Sequence, residues 1–376
     1  MKIKRTLFDA LSNELSSGNA IVILYGARQT GKTTLSKDVL SQFSDNTLYI
    51  NADEIKYHEA LSSRDLHTLK LLTEGYDIVF IDEAQRIPDI GINLKIIYDQ
   101  IPGIRLLVTG SSALDLAGKI REPLTGRTSS YRLYPISLAE LRGEMNVFEL
   151  QSRLEEFMLY GMYPGLLTLD SAERKEKYLM ELASSYLYRD VLELSYIKHP
   201  SKILQLLKLL AMQVGSEVSL NELGRSLGLS HDTVVSYIDL LEQSFILFSL
   251  GGFSRNLRKE VSKRNKYYFW DTGIRNSLLN NFSPLNIRMD AESLWENFII
   301  AERLKFLSNK QQNISPYFWR TYTGAEIDYI EERQGEVYAF EIKLNKEARK
   351  APQTWVENYG NNYACITRQN FYTFVT

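Results

Sequence analysis

The chain has 376 residues, too many for one compact core at roughly 100 to 200 residues per domain, so two or three domains are expected. With 44% hydrophobic and 11% aromatic residues, and only 21 Gly and 9 Pro, the fibrous and disordered classes are excluded. Lys and Arg total 44 against 46 Asp and Glu, a formal charge of -2 that excludes a polycation but not a local basic patch.

From about residue 20 to 135, short β-branched runs alternate with helical stretches, the rhythm of a parallel α/β sheet. Strands are predicted at 21–25, 47–51, 78–81, 105–109 and 130–134. From 136 to 210 the periodicity becomes helical, as in Ile203, Leu206, Leu207 and Leu210, with a break at Gly161-Met-Tyr-Pro-Gly165. Ser219-Leu-Asn-Glu222 then opens the first of two short amphipathic helices separated by Gly228, a helix-turn-helix. Strand-like stretches at 244–250 and 266–270 would form its wing. Asn280-Asn-Phe-Ser-Pro284 reads as a linker, followed by a long helix at 291–307 and strands at 317–321, 325–330 and 337–344. The expected domains are thus an α/β core at 1–135, a helical connector at 136–210, a winged helix at 211–280 and an α/β end at 285–376.

Cys365 stands alone, so no intramolecular disulfide and no cysteine-based zinc cluster is expected. His58, His67, His199 and His231 are scattered, none at metal spacing. Asp9 interrupts any export-signal core, and no apolar run nears the roughly 20 residues of a membrane helix. A soluble, cytoplasmic protein with no membrane partner is expected.

Gly26-Ala27-Arg28-Gln29-Thr30-Gly31-Lys32-Thr33 satisfies G-x-x-x-x-G-K-[ST] between a predicted strand and a helix-forming segment, and these residues with Thr34 are the expected ATP-binding set. Loop amides would face the phosphates of ATP, Lys32 would meet the β and γ oxygens, and the Thr33 hydroxyl would meet Mg2+. Fifty residues after Lys32, an apolar strand ends in Asp82-Glu83. Asp82 is assigned to the magnesium shell and Glu83 to polarising the attacking water. The next strand ends in Thr109-Gly110-Ser111-Ser112, where Thr109 either senses the γ-phosphate or caps the strand. Arg127, with Arg121 second, is the candidate for stabilising transition-state charge, a group that a neighbouring subunit sometimes supplies. Arg28 either reaches phosphate or pins the loop to a carboxylate.

The segments at 26–34, 80–85 and 109–112 together resemble a family of prokaryotic AAA-type ATPases with a C-terminal region of unassigned function. The resemblance continues through Tyr160-Gly-Met-Tyr-Pro164, Tyr188-Arg-Asp-Val191, Phe269-Trp-Asp-Thr-Gly273, Leu294-Trp-Glu-Asn-Phe298 and Gly324-Ala-Glu-Ile-Asp328. It implies an ATP-binding core, a winged helix and a restriction-endonuclease-like end, with no settled physiological role.

In Glu326-Ile-Asp328 the carboxylates share one strand face, and Glu341 and Lys343 repeat the device. The D-x12-E-x-K spacing resembles metal-dependent nuclease cores, in which Asp328 and Glu341 would bind Mg2+, Lys343 would orient water or stabilise charge, and Glu296 would be an additional acid. Alternation on a solvated strand gives the same pattern. Seven cations, Arg255, Arg258, Lys259, Lys263, Arg264, Lys266 and Arg275, face two acids in the stretch 255–275. Either they hold DNA phosphates or they dock internally. Three functions remain open: an ATPase switch acting on DNA, a slow scaffold NTPase binding protein, and an ATP-licensed nuclease. A homo-oligomer is expected if the arginine acts between subunits.

Overall fold

The computed structural model describes residues 3–110, 124–186, 200–255, 264–345 and 350–376. Strands β1 (Ile21–Tyr25), β2 (Thr47–Asn51), β3 (Ile78–Asp82), β4 (Arg105–Gly110) and β5 (Thr128–Arg132) form an all-parallel sheet in the order β2-β3-β4-β1-β5. The near-continuous apolar runs of β1, β3 and β4 arise because both faces of a parallel sheet are covered. Val22, Leu24, Phe80 and Leu107 pack beneath the helices Leu7–Ser17 and Lys32–Leu40. Their neighbours Ile21, Ile23, Val79 and Val108 face the opposite way, towards the helix Ile90–Gln100. Strand β5 begins two residues earlier than predicted. It is a Ser-rich edge strand defined by pairing to β1, with Ile21 opposite Thr128, so its apolar residues are a poor guide to its ends.

The second core face does not stop at the ATPase-like sheet. It continues through Tyr134, Ile136 and Leu138 to Trp295 and Phe298 on the helix Ala291–Asn309. Two motif segments lock together on the way. Gly161 has φ 73, and a Cβ there would lie 2.0 Å from Asp271 Oδ1, while Met162 N donates to Asp271 Oδ2 at 2.8 Å. Gly273 lies against the Tyr160 carbonyl, which a Cβ would meet at 2.0 Å. Because that neighbour is backbone, Gly273→Ala is expected to force the two segments apart and destabilise the fold by about 1–3 kcal/mol or more, measured as a lower denaturant midpoint.

Ser219 caps the helix Leu220–Leu227, Gly228 ends it with φ 66, and Ser230 caps the helix His231–Gln243. Strand β6 (Glu217–Val218) precedes this pair, and β7 (Leu247–Gly252) and β8 (Asn265–Phe269) follow it, with β8 antiparallel to both other strands. The hairpin is not free-standing. Gly251 and Gly252 of β7 pair in parallel with Tyr317 and Phe318 of β9 (Ser315–Arg320). With β10 (Glu326–Arg333), β11 (Glu336–Ile342) and β12 (Tyr363–Ile366) this makes one mixed sheet of seven strands, ordered β12-β11-β10-β9-β7-β8-β6. One hydrogen-bonded layer therefore spans both sides of 280–284.

Candidate functional site

The phosphate-loop candidate leaves β1 at Gly26, where a Cβ would lie 2.2 Å from the Leu133 carbonyl, so the loop can turn there only without a side chain. Gln29 at φ 58 and Gly31 at φ 96 complete the turn into the helix Lys32–Leu40. The Lys32 ammonium is buried and donates to the Gly26 and Ala27 carbonyls at 2.9 and 3.0 Å. Thr30 Oγ1 also donates to Ala27 O, at 2.8 Å, so residues of the loop brace it from within.

The ends of β3 and β4 converge on this loop. Thr33 Oγ1 donates to Asp82 Oδ2 at 2.8 Å, and Thr109 Oγ1 donates to Asp82 Oδ1. The Thr109 hydroxyl also accepts from Glu83 N at 3.2 Å, fixing the peptide that carries the second carboxylate. Glu83 sits at φ 57, a left-handed conformation that disfavours a side chain, and its Oε2 accepts from Gln85 Nε2 at 2.5 Å. A hydroxyl and a carboxylate in contact at this loop are the donor types that magnesium takes in P-loop sites, so Thr33 and Asp82 fit that ion.

Three contacts were not legible as motifs. Tyr49 on β2 reaches Asp82 Oδ2 at 3.4 Å; burial, then the Asp82 charge, pushes its phenol up. The Tyr178 hydroxyl, on the helix Ala172–Tyr186, donates to Gln29 Oε1 at 2.5 Å; burial pushes this phenol up to about 12, with Asp271 adding. Arg5 donates to Thr30 O at 2.8 Å, Tyr134 O at 2.7 Å and Glu140 Oε1 at 2.9 Å. Glu140 closes a capping box with Ser137 at the start of the helix Leu138–Leu141. Leu138 N donates onward to Glu302 Oε2 at 2.6 Å, and Lys305 holds the other oxygen of Glu302 at 2.6 Å. A buried polar path thus runs from the loop carbonyl of Thr30 to the helix Ala291–Asn309. The S-x-x-E spelling of 137–140 was its one sequence signal.

Arg127 lies elsewhere. Its carbonyl accepts from Ile21 N at 2.8 Å, at the end of β1 opposite the loop, and its side chain pairs with Asp99 at 2.8 Å. Five residues of strand, about 16 Å at the usual rise, separate it from the loop of its own chain, so it does not serve there. Arg121, Ser111 and Ser112 lie outside the described residues.

The C-terminal carboxylates form a second group. Glu296, Glu326, Asp328, Glu341 and Lys343 border a cavity of about 460 Å³ together with Lys266. The Lys343 ammonium bridges Asp328 at 2.9 Å and Glu341 at 3.0 Å. Asp328 Oδ2 also accepts from Ile342 N at 2.8 Å. The Lys266 ammonium bridges the other pair, Glu326 at 2.6 Å and Glu296 at 3.5 Å. Glu296 further accepts from the Tyr268 hydroxyl at 2.6 Å. Burial, with the charge of Asp328 added, pushes the Glu296 carboxyl up to about 7 against the pull of Lys266. Burial pushes the Lys266 ammonium down, but Glu296, Glu326 and Asp328 outweigh it and hold it above its usual value.

Lys266 was counted among the basic strip, and the structure removes it from the surface. Arg275 is removed likewise: it is buried, donating to Ala211 O at 3.0 Å and pairing with Asp290 at 2.5 Å. Arg255 pairs with Glu332 at 2.8 Å, Arg264 is exposed, and Arg258, Lys259 and Lys263 lie outside the described residues. Tyr188-Arg-Asp-Val191 also falls outside them. Among the described residues, no helix is long and apolar enough to cross a membrane.

Residues 18–142 match a family model described as an AAA domain, and 151–285 and 291–367 match two domains of unknown function, DUF8612 and DUF4143. An uncharacterized protein of Mycobacterium tuberculosis is 29% identical over 327 residues, covering 86% of this chain and 70% of that protein. An uncharacterized protein of Methanocaldococcus jannaschii is 25% identical over 333 residues, covering 83% and 72%. A Walker-type ATPase of Pyrococcus abyssi shares the fold at TM-score 0.50 and 16% identity, over 72% of this chain and 95% of that one. The N-terminal part of the chain has an AAA-type P-loop ATPase fold, followed by a second, mixed sheet.

Proposed function

We propose that the protein is a magnesium-dependent ATPase switch in which the nucleotide state of the N-terminal core is felt by the C-terminal region, acting on DNA. The observation that carries this is the meeting of Lys32, Thr33, Asp82, Thr109 and Glu83 at one end of three adjacent parallel strands. Lys32 exchanges the two loop carbonyls for phosphate oxygens, so its ammonium stays paired whether the site is empty or full. Thr33 and Asp82 would hold the magnesium ion, which would supply neutralisation of the phosphate charge. Thr109 orients both strand-end carboxylates, and Glu83 polarises the attacking water. Arg5 and Tyr178 touch the same loop, so movement of Thr30 or Gln29 bears directly on Glu140, Glu302 and the connector helix.

In this reading the chain divides into the core at 1–135, a connector at 136–210, a winged helix at 211–280 and a nuclease-like unit at 285–376. Asp328 and Glu341 are its second magnesium site, with Lys343 and Glu296 beside it. The bridging ammonium of Lys343 supports a cation-sized position between the two carboxylates, and magnesium commonly binds one or two carboxylates together with substrate phosphates. Cleavage of a phosphodiester is therefore the second reading.

ATP turnover measured with and without DNA tests both. Turnover is expected to rise with DNA, and DNA binding is expected to weaken steeply with salt. If DNA neither binds nor alters turnover, the partner is protein, a result that the internal pairing of Arg255, Lys266 and Arg275 already favours in part.

A further inference from the structure

The cavity beside β10 holds four carboxylates and two bridging lysines, and the lysines are not equivalent. Lys343 lies just beyond the end of β11 with its side chain 17% exposed, so it can swing aside. Lys266 cannot. It lies inside β8, paired to Glu217 of β6 on one side and Leu250 of β7 on the other. Its side chain is 2% exposed and its ammonium sits 5.3 Å from the centre of the Phe318 ring. Glu296, which it faces, is backed by Gly215 and held by Tyr268.

Two-metal phosphodiester sites place their ions about 3.5–4 Å apart to clamp the attacking and leaving oxygens. Here the ligands for such a pair would be Asp328 with Glu341 and Glu296 with Glu326. Among the described residues, no group of three or more Asp, Glu, His or Cys is arranged around one metal position. The four acids are instead divided between two ammonium groups. A divalent ion entering at Asp328 and Glu341 displaces only Lys343, the more exposed of the two ammonium groups. One entering at Glu296 and Glu326 would have to expel a buried charge that the sheet does not release.

Building on the reading of this cavity as a metal-dependent phosphodiester site, we infer that it takes a single divalent cation, at Asp328 and Glu341, and that Lys266 is the fixed positive centre standing where a second ion would bind. Lys266 is thus a positioning residue supplied by the hairpin, and the site is incomplete without residues 217–269.

The test is Mn2+ binding to the full-length, nucleotide-free protein, counted by calorimetry and by the electron spin resonance signal of free ion. The ions that matter are those removed by Asp328→Asn at the first position or by Glu326→Gln at the second. Wild type is expected to bind one such ion, Lys266→Arg one, and Lys266→Met two. Lys266→Gln, whose amide still donates to a carboxylate, is measured beside Lys266→Met and is also expected to bind two. A variant that folds only when Mn2+ is present supports the inference, because the ion then replaces the lost ammonium. Two ions in wild type, one ion in either folded neutral variant, or neutral variants that Mn2+ does not restore would each overturn it. Failure of the underlying reading looks different: wild type binds no ion here, or Asp328→Asn removes none.

Discussion

Glu83→Gln is expected to lower ATP turnover by about two to four orders of magnitude, the range that a positioned general base contributes, while nucleotide still binds. The amide keeps the size and the contact with Gln85, and the backbone at φ 57 is as strained with Gln as with Glu. What disappears is the charge that polarises water. Lys32→Ala should act differently. It removes the ammonium that the loop holds between the Gly26 and Ala27 carbonyls, so both binding and turnover fall. Equilibrium binding of a fluorescent ATP analogue, measured beside steady-state hydrolysis, separates the two. Equal affinity loss in both variants would place Glu83 in binding and sink its assignment to water.

Glu140→Ala has the second large expected effect. Its carboxylate has no exposed surface, pairs with Arg5, accepts from Thr6 N, and forms one arm of the cap by accepting from Ser137 N, the other arm running from the Glu140 N–H to Ser137 Oγ. Removing one partner of a buried pair costs about 3–5 kcal/mol, to which loss of the carboxylate arm of the cap adds, while the arm through Ser137 Oγ survives. The sum is a large fraction of the stability of an ordinary domain. Arg5 also holds the Thr30 carbonyl, so nucleotide affinity should fall in the same variant. Arg5→Met/Glu140→Met removes the pair without leaving a buried charge and should recover much of the denaturation midpoint but not the affinity. Recovery of both would show that the path from the loop is only scaffolding.

The two halves of the chain differ in what their sequence discloses. Strands β1, β3 and β4 are legible because burial on both faces leaves an unbroken apolar run, and the loop after β1 is legible because a strand, a glycine turn and a helix must follow one another to cradle phosphate. Asp82 and Thr109 could be assigned because each stands at the end of an apolar run, β3 and β4. Arg5, Tyr49 and Tyr178 could not, because each reaches the site from a segment that carries no motif and only tertiary packing brings it there. Lys266 and Arg275 show the opposite failure. A charge count treats every cation as surface, whereas Lys266 lies mid-strand on the same face as Tyr268 and both turn inward to Glu296. Arg127 precedes β5, and in a parallel sheet that puts it at the end opposite the phosphate loop, so a role at the loop would have to be played between subunits.

The pairing of β7 with β9 decides how the polypeptide can be dissected. Cutting at 280–284, where the composition suggests a joint, would leave the fragment from 285 onward with β9 stripped of a partner and Phe318 bare on the side that Lys266 covers. An unprotected strand edge of this kind recruits other copies and aggregates. The smallest portable piece carrying the carboxylate cavity therefore begins upstream of Glu217, so that recombination between relatives would have to exchange the helix pair and the cavity as one inheritance.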